Sequence, residues 1–299
     1  MNEYTDANFV LDGVPAMEDI QMKDMPSFIR TTDPNDFMVN HVPRLIHKLK
    51  EASAIIFNSY DALEHDVLQA LSSFLPPLYT LGSLQFLLNS ITEYSIYIID
   101  EETKSITTNL WKEDTRCLEW LDSFEPNSLI EFAWGLSNSN RPFLWITRPD
   151  LVIGKSAVLP PELLDKTKDK GLITSWCNQE QVLAHPSIGC FLTHCGWNST
   201  IESLINGVHI VCWPFFAEQQ TNCWFSCNKL KWGVGIEIDA NVKRSQVEKQ
   251  LSELMDGEKG KVMKEKVMEW RNLAHEAVAA PNGSSYNNLA KLIKLLRSS

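Results

Sequence analysis

The chain has 299 residues, 44% of them hydrophobic and 22% charged, a balance that suits about two soluble domains, each long enough to bury a core. Lys and Arg number 27 against 38 Asp and Glu, for a formal charge of −11, so the chain lacks the basic footprint that nucleic-acid backbones demand. No apolar run approaches the roughly 18 residues of a membrane span. The opening MNEYTDANFV has neither the basic start nor the apolar core of a secretory signal, so a cytoplasmic location is expected. Cys117, Cys177, Cys190, Cys195, Cys212, Cys223 and Cys227 form an odd set, which argues for reduced thiols over a disulfide framework. Cys190, His194 and Cys195, with Cys177 and His185 nearby, do not supply the two C-x(2–4)-C pairs of a structural zinc site, and no metal is expected.

Residues 1–40 are polar and punctuated by proline, without a sustained period. Val42, Leu45, Ile46 and Leu49 then fall at helical spacing, AIIFN (54–58) reads as a strand, and Leu63, Val67, Leu71 and Phe74 repeat the helical stripe. PLYTLG (77–82) is a second strand, stopped by Gly82. Residues 84–114 turn polar and charged and read as an interdomain linker. Helical patterns follow at 115–123 and 128–138, before the strands PFLWIT (142–147), GLITSW (171–176), IGCFLT (188–193), HIVCW (209–213) and VGIEI (234–238). Alternation of this kind predicts an α/β fold with a parallel, doubly wound sheet. Met263, Val267, Trp270, Ala274 and Ala277 mark a long helix, and Pro281-Asn282-Gly283 separates it from a last one at 285–297.

The stretch IGCFLTHCGWNSTIESLIN (188–206) reads as strand, tight turn and helix. Gly196 permits a close turn, Asn198 or Ser199 suits the N-cap, and Ser199-Thr200-Ile201-Glu202 fits a capping box. The amides at such a helix start form a phosphate site, to which His194 adds a donor at the strand tip.

From Trp176 to Gln219 the 44 residues WCNQEQVLAHPSIGCFLTHCGWNSTIESLINGVHIVCWPFFAEQ resemble the complete signature of plant family 1 UDP-glycosyltransferases. MPSFIRTTDP (25–34), ASAIIFNSYDALEHDVL (52–68), CLEWLD (117–122) and AVLPPELL (157–164) resemble the subgroup acting on cyanohydrins, iridoids and diterpenoids. The resemblance implies a GT-B fold, two Rossmann-like domains across a cleft. It also implies inverting transfer of a sugar, glucose first, from a UDP-sugar to a hydroxyl of a small plant metabolite. UDP-glucose is then the donor substrate, with no further cofactor and no metal. The implied organisation is residues 1–83 as the remnant of an acceptor-binding domain and 84–114 as linker. Residues 115–280 form the UDP-sugar-binding domain and 281–299 the C-terminal helix.

By the same resemblance the UDP-sugar site comprises Trp176, Cys177, Gln179, His194, Trp197, Asn198, Ser199, Glu202, Glu218 and Gln219. Trp176 would stack on uracil, with a core aromatic as the competing role. Gln179 would border the uridine, and His194, Asn198 and Ser199 would contact the diphosphate. Glu202 would accept from both ribose hydroxyls, a role that competes with capping. Glu218 and Gln219 would hold sugar hydroxyls, while Trp197 would pack.

Three positions depart from the family pattern: Asn178 and His209 replace prolines, which would loosen the site, and Cys190 replaces a glycine, which would crowd the strand. None of the histidines, at 41, 47, 65, 185, 194, 209 and 275, stands in the context of the family's general base. Met1 aligns inside the N-terminal domain, so that domain is expected to be incomplete, the base absent, and turnover weak or lost. The family's first C-terminal strand and its Phe-Gly-Ser loop would fall between Ser128 and Leu129, so the second sheet is expected to lack its opening strand. A non-catalytic nucleotide-sugar-binding fragment that associates with intact relatives is the competing expectation.

Overall fold

A computed structural model describes residues 6–82, 84, 86–88, 129–131, 141–146, 170–174, 176–235 and 244–298. The expected helix at 115–123, most of the expected linker, and Cys117 lie outside them. Helix α1 (Phe37–Leu49) starts at Asp36, whose carboxylate accepts from the Met38 and Val39 amides. Strands β1 (Ile55–Phe57) and β2 (Leu78–Thr80) pair in parallel around helix α2 (His65–Ser72), as the hydrophobic pattern predicts. The stripe on α1 does not reach a core: Leu45 and Ile46 stay exposed, as does Ile56 of β1.

The second sheet has six parallel strands in the order β5-β4-β3-β6-β7-β8. They are β3 (Leu129–Glu131), β4 (Phe143–Ile146), β5 (Gly171–Thr174), β6 (Ile188–Thr193), β7 (His209–Cys212) and β8 (Gly233–Gly235). Counted along the chain within this sheet, the order is that of a dinucleotide-binding doubly wound sheet, with the switch point between β3 and β6.

Here the structure corrects two expectations. Leu129–Glu131 is a strand where the pattern at 128–138 predicts helix, and the sheet does not lack a strand at its opening position. An empty slot between β4 and β6 would strand a row of backbone N–H and C=O groups in the middle of the sheet. Three residues supply the ladder instead, with a register shift between Leu129 and Ile130 on the β6 side. Residues 132–138 lie outside the described residues.

Side chains alternate between the two faces. Leu144, Phe191, Ile210 and Cys212 face one layer with Val182, Ile201, Leu204, Trp232 and Val267. Phe143, Cys190, Leu192 and Val211 face the other, with Leu251, Leu254 and Met263. The helices that supply these layers are α3 (Gln179–Ala184), α4 (Trp197–Ile205), α5 (Gln219–Trp224), α6 (Arg244–Asp256) and α7 (Glu258–Val278). A final helix, α8 (Ser284–Ser298), returns to the first sheet, where Leu292 and Val278 pack with Leu81 and Leu87. The two sheets are thus tied by the C-terminal helices, and the Tyr60 hydroxyl adds a hydrogen bond to the Trp270 carbonyl at 3.1 Å.

Cys190 does not crowd the strand. Its side chain is fully buried among Phe143, Leu192 and Val211, and burial pushes its thiol up to about 12. His209 is the first residue of β7 rather than part of a loop, opposite Cys190, with its imidazole buried against the Leu254 backbone.

Candidate functional site

The β6–α4 turn is built around a strained residue. Cys195 has φ 65°, a conformation that is costly for a side chain larger than glycine's. It is pinned from both sides: its amide donates to Thr193 Oγ1 at 3.1 Å, and its carbonyl accepts from Asn222 Nδ2 of α5 at 2.8 Å. Gly196 follows because the His194 ring folds back over it; a Cβ there would meet His194 Nε2 at 2.6 Å. The outcome is an exposed imidazole held over the mouth of α4.

Gly196, not Asn198 or Ser199, is the N-cap of α4, and no side chain caps the first turn. The expected capping box is therefore absent, because the left-handed Cys195 closes the turn earlier and places Asn198 and Ser199 inside the helix. The first-turn amides of Trp197, Asn198 and Ser199 point out of the helix end, where its dipole favours an anion.

With the capping role gone, Glu202 has another partner. Gln179, the first residue of α3, donates through Nε2 to Glu202 Oε2 at 2.8 Å and to Ser199 Oγ at 3.0 Å. Burial raises the Glu202 carboxyl, opposed by the Gln179 hydrogen bond. Burial and the Glu202 charge push Glu180 up to about 7. The two carboxyls thus share a half-buried corner, with the Gln179 amide donating to Glu202. A carboxylate so placed accepts from a vicinal diol without being spent on its own helix.

Asn178 caps α3, its side chain accepting from the Gln181 amide at 3.1 Å. The expected loosening from loss of a proline is corrected: the capping bond supplies the constraint the ring would have given. Trp176 precedes it, half-buried, with an indole N–H that has no acceptor. Cys177 points into the core at 2% exposure, away from any ligand surface.

The C-terminal end of the candidate site is the loop into α5. Glu218 is exposed at the N-cap of α5, whereas Gln219 is buried and its Oε1 accepts from the Phe215 and Phe216 amides at 2.8 and 3.2 Å. The same loop is gripped from the N-terminal part: the Ser27 amide donates to the Ala217 carbonyl at 2.8 Å, and Ser27 Oγ accepts from the Ala217 amide at 2.9 Å.

Asn58 was not singled out by sequence reasoning. Its carbonyl accepts from Trp197 Nε1 at 2.8 Å and its amide donates to Asn198 Oδ1 at 3.2 Å, so the end of β1 clamps the start of α4. The signal was available: a polar residue just beyond the carboxyl end of a parallel strand is where ligand clefts form. Trp197 is thereby a structural link between the end of β1 and α4.

Residues 123–282 match the UDP-glucoronosyl and UDP-glucosyl transferase family. The chain is 55% identical to a 7-deoxyloganetin glucosyltransferase of Gardenia jasminoides over 96% of its own length and 61% of that protein's. It is 51% identical to an (R)-mandelonitrile beta-glucosyltransferase of Prunus dulcis, over 98% of the chain and 62% of the relative. The chain thus spans about three fifths of the length of these relatives. Among solved structures, Os79 from O. sativa in complex with UDP superposes with a TM-score of 0.80 at 28% identity, covering 96% of this chain and 64% of that one. Phytolacca americana UGT2, complexed with UDP-2fluoro-glucose and pterostilbene, gives 0.78 at 28% identity, over 98% and 64%. The doubly wound sheet, the helix start at Gly196 and the relatives agree, and the chain belongs to the UDP-glucoronosyl and UDP-glucosyl transferase family, with its GT-B fold.

Proposed function

We propose that this chain binds a UDP-sugar, with glucose as the sugar, at the edge formed by β6, α3 and α4. The observation that carries the reading is the Gln179–Glu202–Ser199 network beside the uncapped first turn of α4. A diphosphate meets amides and a helix dipole there, and a ribose diol meets a carboxylate one turn further on. In this reading Trp176 stacks on uracil, Gln179 borders the uridine, and His194, Asn198 and Ser199 contact the diphosphate. Glu202 accepts from the ribose, while Glu218 and Gln219 lie toward the sugar. The acceptor is a small hydroxylated plant metabolite, attacked with inversion, as the glucosyltransferase names of the relatives suggest.

Turnover is proposed to be weak. Inverting transfer needs a base for the acceptor hydroxyl. Of the seven histidines only His194 stands at the α4 mouth; the others lie on α1, α2 and α7, after α3, or buried in β7. Exposed Phe37, Leu45, Ile46 and Ile56 favour a second reading, in which a nucleotide-sugar-binding chain associates with intact relatives through this apolar face. A cytoplasmic location fits the free thiols, and no helix among the described residues is long and apolar enough to cross a membrane. We divide the chain as the resemblance implies, at 84–114.

Calorimetric titration with UDP tests the site. Saturable binding, weakened about 10-fold or more by Glu202→Ala, is expected from losing charge-assisted hydrogen bonds of about 1.5–3 kcal/mol. No heat from folded protein, or equal affinity in the variant, would refute it. Sugar transfer to a panel of hydroxylated acceptors by the pure chain then separates the two readings.

A further inference from the structure

Beneath the turn that carries His194 and Gly196, four thiols converge. Cys195 lies in the β6–α4 turn, Cys212 ends β7, Cys223 lies on α5, and Cys227 lies on the π-helical turn (Phe225–Lys229) that continues it. The sulfurs of Cys195, Cys212 and Cys223 all lie within 4.8 Å of one another, and Cys227 Sγ is 3.8 Å from Cys212 Sγ. Cys195 and Cys212 are fully buried, with Cys223 and Cys227 partly covered.

Packing alone does not call for this arrangement. A buried cysteine is a small hydrophobe, and Cys190 shows the ordinary case, its side chain spread among apolar neighbours on the opposite face of the sheet. Here sulfurs from separate elements aim at one point. A cation held at the usual metal–sulfur distance of about 2.3 Å places its sulfurs about 3.8–4.0 Å apart. The Cys212–Cys227 separation already has that value, and the three separations among Cys195, Cys212 and Cys223 reach it by closing about 1 Å or less, with Cys227 beside Cys212 as the fourth sulfur.

We propose that Cys195, Cys212, Cys223 and Cys227 form a site for a thiophilic d10 cation, zinc(II) or copper(I). The ligands are all sulfur, which selects soft cations over magnesium or calcium. Cys195 Sγ lies 3.6 Å from the Thr193 carbonyl, at the edge of the cluster. Cysteine ligates as the thiolate, so each ligand that is protonated gives up its proton on binding, with no change of oxidation state. The occupied site would tie together the turn, the end of β7 and α5, three elements that position His194, Trp197 and Glu218.

Sequence spacing pointed elsewhere. Cys190, His194 and Cys195 are neighbours in the chain, yet Cys190 faces the other layer and His194 is exposed. Cys223 and Cys227 do stand at C-x3-C spacing, but only β6–β7 pairing, with Thr193 opposite Cys212, brings Cys212 beneath Cys195.

The test uses the full reduced chain under anaerobic conditions, titrated with cadmium(II). It reads sulfur coordination and stands independently of nucleotide binding. A thiolate-to-cadmium charge-transfer band should saturate at one ion per chain, with release of protons into solution. The cadmium-113 resonance should fall in the range of three- and four-sulfur sites, a readout that needs no variant. Cys223→Ser should weaken binding about 10-fold or more, while Cys190→Ala, on the opposite face of the sheet, leaves it unchanged. Zinc(II) or copper(I) should displace the cadmium, and the stronger competitor identifies the cation. No band, a resonance typical of oxygen or nitrogen ligands, or a band indifferent to Cys223→Ser would overturn the proposal.

Discussion

Glu180 offers a stability test whose sign depends on pH. Burial first, and the Glu202 charge second, raise its carboxyl from 4.5 to about 7. A carboxyl raised on folding binds more protons in the folded than in the unfolded chain. Its cost is therefore absent below pH 4.5, grows as pH rises from there to about 7, and is complete above. At about 1.36 kcal/mol per pH unit, the ceiling is about 3.4 kcal/mol. The side chain is only half-buried, and solvent screening reduces this to about 1–2 kcal/mol. Glu180→Gln keeps the shape and removes the charge, so it should stabilise the protein at pH 8 by that amount and leave it unchanged at pH 4.5. In thermal denaturation at both pH values the gain should be about 2–6 °C at pH 8. In a Glu202→Gln background the gain should shrink, because part of the cost is the Coulomb pair. An equal gain at both pH values, or none at pH 8, would refute the account of a carboxyl corner beneath α4.

The other predictions concern the frame that holds the site. Trp197→Phe keeps the ring but deletes the 2.8 Å bond to the Asn58 carbonyl, and denaturant unfolding should show a loss of about 0.5–1.5 kcal/mol. His209 is buried, and burial first, then Lys264, lowers its imidazole to about 4, opposed by a hydrogen bond with the Leu254 backbone. The unfolded chain protonates first as pH falls, so stability present above pH 6.5 is lost progressively down to about 4. His209→Val should flatten that acid limb in a series of melts. Cys190→Gly restores the residue of the family pattern, yet the pocket among Phe143, Leu192 and Val211 is shaped around the sulfur. A loss of about 2 kcal/mol is expected on chemical denaturation, from cavity and strand entropy together; a stabilised variant would show that the glycine belongs there.

The elements with strong local signals were legible in the chain itself. β6 and β7 are unbroken apolar runs because a central parallel strand is buried on both faces. The buried stripe of α7 follows from helical spacing at Met263, Val267, Ala274 and Ala277. The strand, turn and helix of 188–206 follow from HCGWNS and its surroundings, since a glycine turn before a helix carries its own chemistry wherever it is placed, whereas the roles of the individual residues come only with the family resemblance.

Tertiary structure decided what depends on partners distant in the chain. Leu129–Glu131 has helical periodicity, but the vacant position between β4 and β6 offers backbone bonds that local propensity cannot match. The N-cap of α4 moved to Gly196 because Cys195 is held left-handed by Thr193 and by Asn222, 27 residues further on. That shift released Glu202 to Gln179, 23 residues away. Asn58 reaches Trp197 across 139 residues, and four cysteines from separate elements meet beneath the turn. Periodicity reports which face of an element is apolar. Only the packed chain settles which groups stand opposite one another, because hydrogen bonds and sulfur contacts act over a few ångströms in space and are blind to separation in sequence.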